Sequence, residues 1–450
     1  MPVELIVTVL INVIVSIFSI AAAFRLSKGH SVLYSPLLQI ITFHFVFTLI
    51  GAHFFAYDSG FLLHILDEGT ISQSQLNYAM QMGIVAPSLV LGAYFVKFIF
   101  NFEAGREITQ YQNCKLISER TSISNILLMS YLVFFVALVF NFYFTKLNGF
   151  PIINAVINIV AGADSGLAAA RSNVNYEVGF PGWLVQIVRF IIPSISLVLF
   201  LTFSNTRSLF VKYFGRWLLI LLSMFLLISN GDRMPLLMYV ISVIVVLNYV
   251  NNKRSSLKQL VYVFLFIILF LGVFSFLLGR GAENQDIFEA IIQTIIDVFF
   301  RIFLSQSQTG SYIFQLYGNG NGFSMFDIYV QNFSTYFVDD IKSYSVDLFY
   351  LVHGRSGSAS HSAFAEAYAS FGTLGIVLIS IFLGALSQYL FIKMIRMNKT
   401  ILHLVCFSYL GLSISISALG SVTGIMYNGM IAIVFVYLVI TFTRKFVRIL

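Results

Sequence analysis

The chain has 450 residues, of which 58% are hydrophobic and only 10% are charged. Since soluble domains carry about 25% charged residues, this composition excludes an ordinary soluble protein. The formal net charge of +7 would suit nucleic acid binding in a soluble chain, but among apolar segments the placement of charges matters more than their sum. The two cysteines, Cys114 and Cys406, have neither zinc-site spacing nor an arguable disulfide pairing.

Apolar runs recur along the whole chain, and most approach or exceed the ~20 residues that a helix needs to cross a bilayer. The first run lacks the basic start of a cleaved signal, so we expect it to remain as a helix. The sequence therefore predicts an all-α polytopic membrane protein with about eleven transmembrane helices, or twelve. The runs are 5–24, 33–56, 76–100, 123–143, 183–203, 214–229, 234–250, 259–278, 362–392, 401–419 and 424–443.

Lysine and arginine are concentrated in alternate connections between these runs. Eighteen of the 26 fall on one side of the predicted membrane. They are Arg25, Lys28, Lys97, Arg106, Lys115, Arg120, Arg207, Lys212, Arg216, Lys253, Arg254, Lys258, Lys393, Arg396, Lys399, Arg444, Lys445 and Arg448. The positive-inside rule assigns this side to the cytoplasm, with the N-terminus outside and the C-terminus inside.

The opposite side carries the long connections. The predicted organisation is an N-terminal membrane region at 1–278 with outer loops at 57–75 and 144–182, a long outer loop at 279–361, and C-terminal membrane helices at 362–450. In the long loop Glu289, Gln293, Asp297 and Arg301 recur every four residues between apolar pairs. This spacing predicts an amphipathic helix along the outer membrane surface.

Eight basic residues remain on the outer side, and six of them are arginines. They are Lys146, Arg171, Arg189, Arg233, Arg280, Arg301, Lys342 and Arg355. Arg233 and Arg280 lie at predicted helix ends, where a planar guanidinium can bind phosphate or carboxylate. The alternative is that they anchor helices to lipid phosphates or pair with Asp232 and Glu283. Several arginines on the side that normally avoids them favour a shared anionic ligand.

Paired carboxylates offer a different interpretation of the outer loops. Asp67 with Glu68, and Asp339 with Asp340, resemble ligands for a divalent metal, although solvation of an outer loop explains them equally well. We therefore predict no metal and no cofactor, and keep a metal-dependent enzyme as an alternative.

The most informative segment begins at His361, which shows the spacing H-S-x9-G-x-x-G with Ser362, Gly372 and Gly375. A lone outer histidine is usually solvated or hydrogen-bonded rather than catalytic. The carboxylate of Glu366 lies five positions further on, and it can orient the imidazole only if a helix begins between the two. Otherwise it is a carboxylate placed at a helix start, where the dipole favours it.

This pattern resembles the histidine motif of the O-antigen ligase and polymerase superfamily, polytopic enzymes related to the C-type glycosyltransferases. There the motif follows a long periplasmic loop and opens a late membrane helix, as it would here. Arg233 and Arg280 are similar to that family's arginines at the outer ends of central helices. Arg171, ten residues and then Gly182 resemble the R-x10-G pattern of O-antigen polymerases.

The resemblance implies a polymerase of the bacterial inner membrane that acts on the periplasmic face. It would transfer a growing glycan from undecaprenyl pyrophosphate to a hydroxyl of a new lipid-linked repeat, and a chain-length regulator is a further candidate partner. His361 is then the general base and Arg233 and Arg280 clamp the pyrophosphate, with Glu366 beside the histidine. The candidate residues for substrate binding are Arg171, Arg301, Arg355, Gly372 and Gly375.

Two other functions stay open at this point. A ligase would share the histidine and the arginines but would transfer the glycan to lipid A-core. A transporter or flippase of lipid-linked sugars would need repeats and charges near the bilayer midplane, where Arg189 is the best candidate.

Overall fold

The computed structural model is helical throughout the part of the chain that it describes. Within that part the β pairing is limited to an isolated parallel bridge between Ile117 and Thr400. The described residues are 3–28, 35–56, 73–117, 122–147, 149–160, 181–204, 208–229, 234–251, 262, 265, 269, 292, 295–296, 298–318, 322–335, 342–353 and 359–449.

The helices are numbered in chain order. They are α1 (Val3–Leu26), α2 (Pro36–His44), α3 (Ile50–Ala56), α4 (Gln73–Met82), α5 (Val85–Ile99), α6 (Ala104–Asn113), α7 (Ser122–Lys146), α8 (Pro151–Val160), α9 (Gly182–Gln186), α10 (Ile192–Phe203), α11 (Arg216–Ser229), α12 (Met234–Val250), α13 (Ser305–Gly318), α14 (Asp327–Ser334), α15 (Tyr344–His353), α16 (Ala363–Arg396), α17 (Ile401–Ser417) and α18 (Ile431–Ile449). Short π-helical turns occupy Phe45–Leu49, Ile187–Ile191, Val211–Gly215, Phe300–Leu304 and Met426–Met430.

The described residues contain eight helices that are long and apolar enough to cross a membrane. They are Val3–Leu26, Pro36–Phe54, Ser74–Ile99, Ser124–Lys146, Gly182–Phe203, Val211–Ser229, Ala363–Arg396 and Met426–Lys445. Two further predicted runs form shorter apolar helices, α12 and α17, and the predicted run 259–278 lies almost wholly outside the described residues. The architecture is that of an all-helical, polytopic membrane protein.

The chain forms two compact units. Unit 1 comprises Met1–Gln110, Phe299–Arg396 and Gly411–Asn428, and unit 2 comprises Tyr111–Val298, Met397–Leu410 and Gly429–Leu450. These units cut across the three consecutive segments expected from the sequence.

Unit 2 is packed through aromatic and small residues. The Tyr143 hydroxyl lies 2.8 Å from the Ser229 hydroxyl in a buried contact between α7 and α11. Gly429 has a φ of 112°, in the region that favours glycine, and a Cβ there would lie 2.5 Å from the Phe190 ring. A side chain at Gly429 would therefore be both strained and obstructed.

Part of the expected long outer loop is folded into unit 1. Helix α13 lies in this segment, and its buried face includes Ser307 and Gly310. The Ser307 hydroxyl donates to the Thr48 carbonyl at 2.9 Å, and a Cβ on Gly310 would lie 2.5 Å from the Tyr78 hydroxyl. Small residues therefore let α13 approach its neighbours closely, although its hydropathy is too low to have predicted a buried helix.

Only fragments of the predicted amphipathic helix fall within the described residues. Residues 292, 295–296 and 298–299 are helical and lead into the π-helical turn Phe300–Leu304. Glu289, Gln293 and Asp297 lie outside the described part, so the predicted polar face stays a prediction.

One end of unit 1 is held together by basic side chains. Arg396, at the end of α16, donates to both carboxylate oxygens of Glu107, at 2.6 and 2.9 Å, and to the Phe100 carbonyl at 2.9 Å. Lys28, just after α1, donates to the Gly105 carbonyl at 2.7 Å and to the Thr109 hydroxyl. The ends of α1, α5 and α16 therefore meet at this end of the unit, together with α6.

Helix α16 is broken near its start. Phe371 has φ −141° and ψ 16°, and Gly372 has φ 64° and ψ −150°, values outside the helical region. The sequence pattern predicts one uninterrupted span here, whereas the structure has a short first part at 363–370 and a long second part at 373–396. At about 1.5 Å per residue the second part is about 36 Å long and crosses a bilayer core by itself.

Candidate active site

The start of α16 brings His361 and Glu366 together. The helix begins at Ala363, between the two, and the Ser362 hydroxyl caps it by accepting from the Ala365 amide at 3.2 Å. His361 Nε2 lies 3.7 Å from Glu366 Oε2, and the two side chains are only 4% and 0% exposed. This meets the condition under which the carboxylate can orient the imidazole.

The two oxygens of the Glu366 carboxylate have different surroundings. Oε1 accepts from the Asn332 amide and from the Ser421 hydroxyl, each at 3.0 Å. Oε2 faces His361 and has no hydrogen-bond partner among the described residues. The carboxylate is therefore held through one oxygen and presents the other to the imidazole.

Two tyrosines lie beside the pair. The Tyr344 ring meets the His361 ring edge to face, with centroids 5.6 Å apart and an interplanar angle of 89°. Burial raises the pKa of the Tyr344 hydroxyl far above its ordinary value, and Tyr317 and Glu366 raise it further. Burial, followed by the Glu366 charge, raises the pKa of Tyr329 to about 12, against a hydrogen bond with Ser370. Both hydroxyls therefore stay protonated at neutral pH.

The imidazole lies between two oxygen atoms. His361 Nδ1 is 3.4 Å from the Ala359 carbonyl, while Nε2 faces the carboxylate. The separation of 3.7 Å is longer than a direct hydrogen bond, and catalytic contacts often shorten only when substrate binds. A carboxylate beside one ring nitrogen can orient an imidazole.

Hydrogen bonds from another segment of unit 1 satisfy the backbone at the break in α16. The last carbonyls of the first part, those of Ala369 and Ser370, accept from the amides of Ser324 and Met325 at 3.0 Å each. Backbone groups freed at the break therefore find partners in the loop before α14, as a helix end within a membrane protein requires.

Gly372 and Gly375 make the break sterically feasible. Gly372 has the left-handed φ of 64°, and a Cβ there would lie 2.8 Å from the Phe323 ring. A Cβ on Gly375 would overlap the Ala367 carbonyl oxygen, because the second part of α16 packs against the first. Both glycines therefore allow a close approach, of the Phe323 ring at Gly372 and of the two parts of α16 at Gly375. Their predicted role in substrate binding stays a prediction.

Most of the arginines predicted to bind substrate cannot be placed relative to the His361–Glu366 pair. Arg171, Arg233, Arg280 and Arg355 lie outside the described residues, and Arg301 is described only as backbone of a π-helical turn. Arg189 lies on the π-helical turn that precedes α10, in unit 2. The predicted clamp on the pyrophosphate therefore stays a prediction.

The alternative metal ligands also lie outside the described residues. They are Asp67, Glu68, Asp339 and Asp340. Among the described residues, no group of three or more His, Cys, Asp or Glu side chains is placed to hold a metal ion.

Sequence reasoning missed three members of the site: Asn332, Tyr344 and Ser421. They come from α14, α15 and the segment after α17, and they reach the His361–Glu366 pair only through the tertiary fold. Each is a common residue type with no distinctive spacing to the histidine. The only available signal was the polar character of the expected outer loop, and it does not single out Asn332.

The fold and the site together define a class: a polytopic helical membrane protein with a buried histidine–glutamate pair at the start of a broken helix. Comparisons with protein-family models, with curated proteins and with solved structures gave no match to this chain.

Proposed function

We propose that this protein is a glycosyltransferase that polymerises a surface polysaccharide from lipid-linked repeat units. The donor is a glycan on undecaprenyl pyrophosphate, and the acceptor is a hydroxyl of a new lipid-linked repeat. The main support is the contact between His361 and Glu366, which lies at the histidine motif that resembles the O-antigen ligase and polymerase superfamily.

The chemistry needs a base and a cationic site for the leaving group. The acceptor hydroxyl oxygen forms the new glycosidic bond, its proton passes to His361, and the anomeric C–O bond to the pyrophosphate breaks with the electron pair leaving on the phosphate. Imidazole suits the proton transfer because it titrates near neutrality. Preorganised guanidinium groups stabilise the developing phosphate charge, which is the role we give to Arg233 and Arg280.

The arrangement of unit 1 supports the predicted orientation. Lys28 and Arg396 belong to the set expected in the cytoplasm, and they meet at one end of the unit. His361 and Glu366 lie before the break in α16, and the second part of the helix, about 36 Å long, separates that break from Arg396. We therefore place the reaction at the periplasmic face of the inner membrane.

The decisive experiment is extension of a defined undecaprenyl-pyrophosphate-linked repeat by purified protein in lipid nanodiscs. We expect the wild type to produce a ladder of longer glycans. We expect His361→Ala to slow extension by about 10²- to 10⁴-fold, the usual contribution of a general base. Full turnover by His361→Ala would contradict the assignment.

His403 offers a matched control. Its nitrogens lie 2.8 Å from the Asn398 carbonyl and 3.2 Å from the Tyr437 hydroxyl, in unit 2. His403→Ala should therefore leave the extension rate unchanged. Offering lipid A-core as the acceptor in the same assay separates a polymerase from a ligase, because only a ligase would transfer glycan to it.

The arginine clamp has a separate test. Arg280→Lys keeps the positive charge but removes the planar fork, so we expect slower extension. An unchanged rate would instead indicate that Arg280 anchors its helix to lipid.

A further inference from the structure

Asn332 connects three groups around the site through one buried amide. Its Nδ2 donates to Glu366 Oε1 at 3.0 Å and to the Ser421 hydroxyl at 3.3 Å, and its Oδ1 accepts from the Tyr344 amide at 2.9 Å. The side chain is only 6% exposed. A buried amide with partners on both of its polar atoms is constrained to one position.

The neighbours of Asn332 also determine which way its amide points. The Tyr344 backbone N–H can only donate, so it requires the amide oxygen. Glu366 Oε1 accepts the hydrogen bond from Asn332, so it requires the amide nitrogen. A reversed amide would lose both interactions, and the two requirements therefore agree on a single orientation.

The two groups that Asn332 holds are the two that flank the imidazole. Glu366 presents its second oxygen to His361 Nε2, and the Tyr344 ring packs on the edge of the histidine ring. We propose that Asn332 is a positioning residue for His361, since its one amide holds both the Glu366 carboxylate and the backbone of Tyr344, whose ring contacts the imidazole. Insofar as its effect is read from glycan extension, this inference rests on the proposed function.

The adjacent Gln331 provides a matched control. Its Nε2 donates to the Lys342 carbonyl at 3.0 Å and to the Asp347 carboxylate at 2.5 Å. It therefore also ties α14 to the start of α15, but from the exposed side, and these two hydrogen bonds reach neither the histidine nor Glu366. Loss of the Gln331 contacts would disturb the same helix pair while leaving the carboxylate in place.

The first measurement is independent of any reaction. With ¹⁵N-labelled histidine, the His361 signal is assigned by its disappearance in His361→Ala. We expect Asn332→Ala and Asn332→Asp to move that signal, because the carboxylate beside the ring is no longer held, and we expect Gln331→Ala to leave it in place. A His361 signal that Asn332→Ala does not move would overturn the proposal, whatever the protein's activity.

The second measurement is the extension assay. We expect Asn332→Ala and Asn332→Asp to lower kcat by about 10- to 100-fold, the usual cost of removing a residue that orients a functional side chain, with KM nearly unchanged. Gln331→Ala should keep the wild-type kcat. An equal loss of kcat in Gln331→Ala would mean that only the packing of α14 on α15 matters, and it would overturn the positioning role.

A double variant separates positioning from folding. Asn332→Asp places a second carboxylate beside Glu366 and should lower the unfolding temperature, whereas Asn332→Asp with Glu366→Gln restores one amide and one carboxylate in swapped places. We expect the double variant to regain stability because the amide–carboxylate contact is restored, while kcat stays low because Glu366→Gln removes the carboxylate beside His361. Recovery of kcat as well would show that neither side chain is needed at its own position, and it would overturn the positioning role.

The proposed function fails in a distinguishable way. If wild type does not extend the lipid-linked repeat, or His361→Ala extends it normally, the polymerase assignment falls. A displaced His361 signal in Asn332→Ala would then still establish that Asn332 positions the histidine.

Discussion

The two ends of α16 each involve a glutamate, and the two carboxylates are held in opposite ways. At the end of the helix, Glu107 has both oxygens bound by the Arg396 guanidinium, and these side chains are 18% and 39% exposed. At the start, Glu366 is fully buried and has only one oxygen held, by the neutral groups of Asn332 and Ser421.

This difference indicates different uses of the same side chain. An arginine that donates to both oxygens of a carboxylate leaves it little capacity for another partner. Such a bidentate contact suits a pair that joins two helices. Burying a carboxylate costs free energy unless its hydrogen bonds compensate for lost water. Neutral donors on one oxygen lower that cost while the other oxygen stays directed at His361. The exposed Glu107–Arg396 pair is therefore structural, whereas the buried Glu366 carboxylate keeps one oxygen directed at His361, as the proposed function requires.

The strongest test of this comparison makes the same substitution at both ends. Glu366→Gln keeps the shape but removes the charge facing His361, and we expect glycan extension to slow by at least about 10²-fold, as when the acid that orients a catalytic histidine is replaced by its amide. Glu107→Gln should change the rate by less than about 2-fold, since surface ion pairs contribute little. The extension assay with purified variants measures both, and equal losses would remove the distinction.

A second test addresses the backbone at the break in α16, next to the buried His361–Glu366 pair. Gly375→Ala would push a methyl group into the Ala367 carbonyl, and Gly372→Ala would strain a left-handed residue against Phe323. We expect losses of about 1–3 kcal/mol in unfolding free energy, with Gly375→Ala at the upper limit because backbone must move.

Gly105, on α6 at the other end of the unit, supplies the control for these glycines. A Cβ there meets nothing within 4 Å. Gly105→Ala should therefore stabilise the protein by up to about 1 kcal/mol through helix propensity. Thermal unfolding in detergent measures all three variants, and a destabilised Gly105→Ala alongside unaffected Gly372→Ala and Gly375→Ala would contradict the proposed geometry.

The smallest expected effect is the pH dependence of the exposed pair. The hydrogen bond from Arg396 lowers the pKa of Glu107, and partial burial opposes this only in part. A carboxyl with a lowered folded-state pKa contributes stability that is present above the ordinary value of about 4.3 and is lost as pH falls through the folded-state pKa.

Because the pair is partly exposed, we expect it to contribute only about 0.2–1 kcal/mol. Unfolding temperatures of wild type and Arg396→Ala between pH 3 and pH 7 provide the measurement. The gap between them should be constant near neutrality and should close at the acid end of this range. A gap that widens on acidification would show that the pair does not act through Glu107 ionisation.

Much of the helical architecture was predictable because membrane spans depend on long apolar runs. The first predicted run at 5–24 corresponds to α1, and that at 401–419 corresponds to α17. Helix α13 was not predictable in this way, since its burial depends on small residues such as Ser307 and Gly310 that approach Thr48 and Tyr78. Close packing between particular helices is not encoded in hydropathy.

In the candidate site, too, local sequence features were predictable and contacts between helices were not. The motif spacing that starts at His361 identified the histidine and both glycines. Glu366 was noticed because a carboxylate is unusual at the start of an apolar segment. Whether histidine and carboxylate meet depended on where the helix begins, and Ser362 decides that by capping α16. Asn332 could not be found, since its role arises only when α14 lies against the start of α16.

By itself, the sequence determined that this chain is a polytopic helical protein and that a histidine and a glutamate stand close along the chain at a helix start. Composition and local spacing suffice for this, because apolar length and capping residues act over a few turns. Tertiary structure alone decided that the carboxylate is buried, that one oxygen is held by Asn332 and Ser421, and that the other faces His361. The contacts of Glu366 with Asn332 and Ser421 join residues distant in the chain, and only packing of the helices brings these residues within hydrogen-bonding distance.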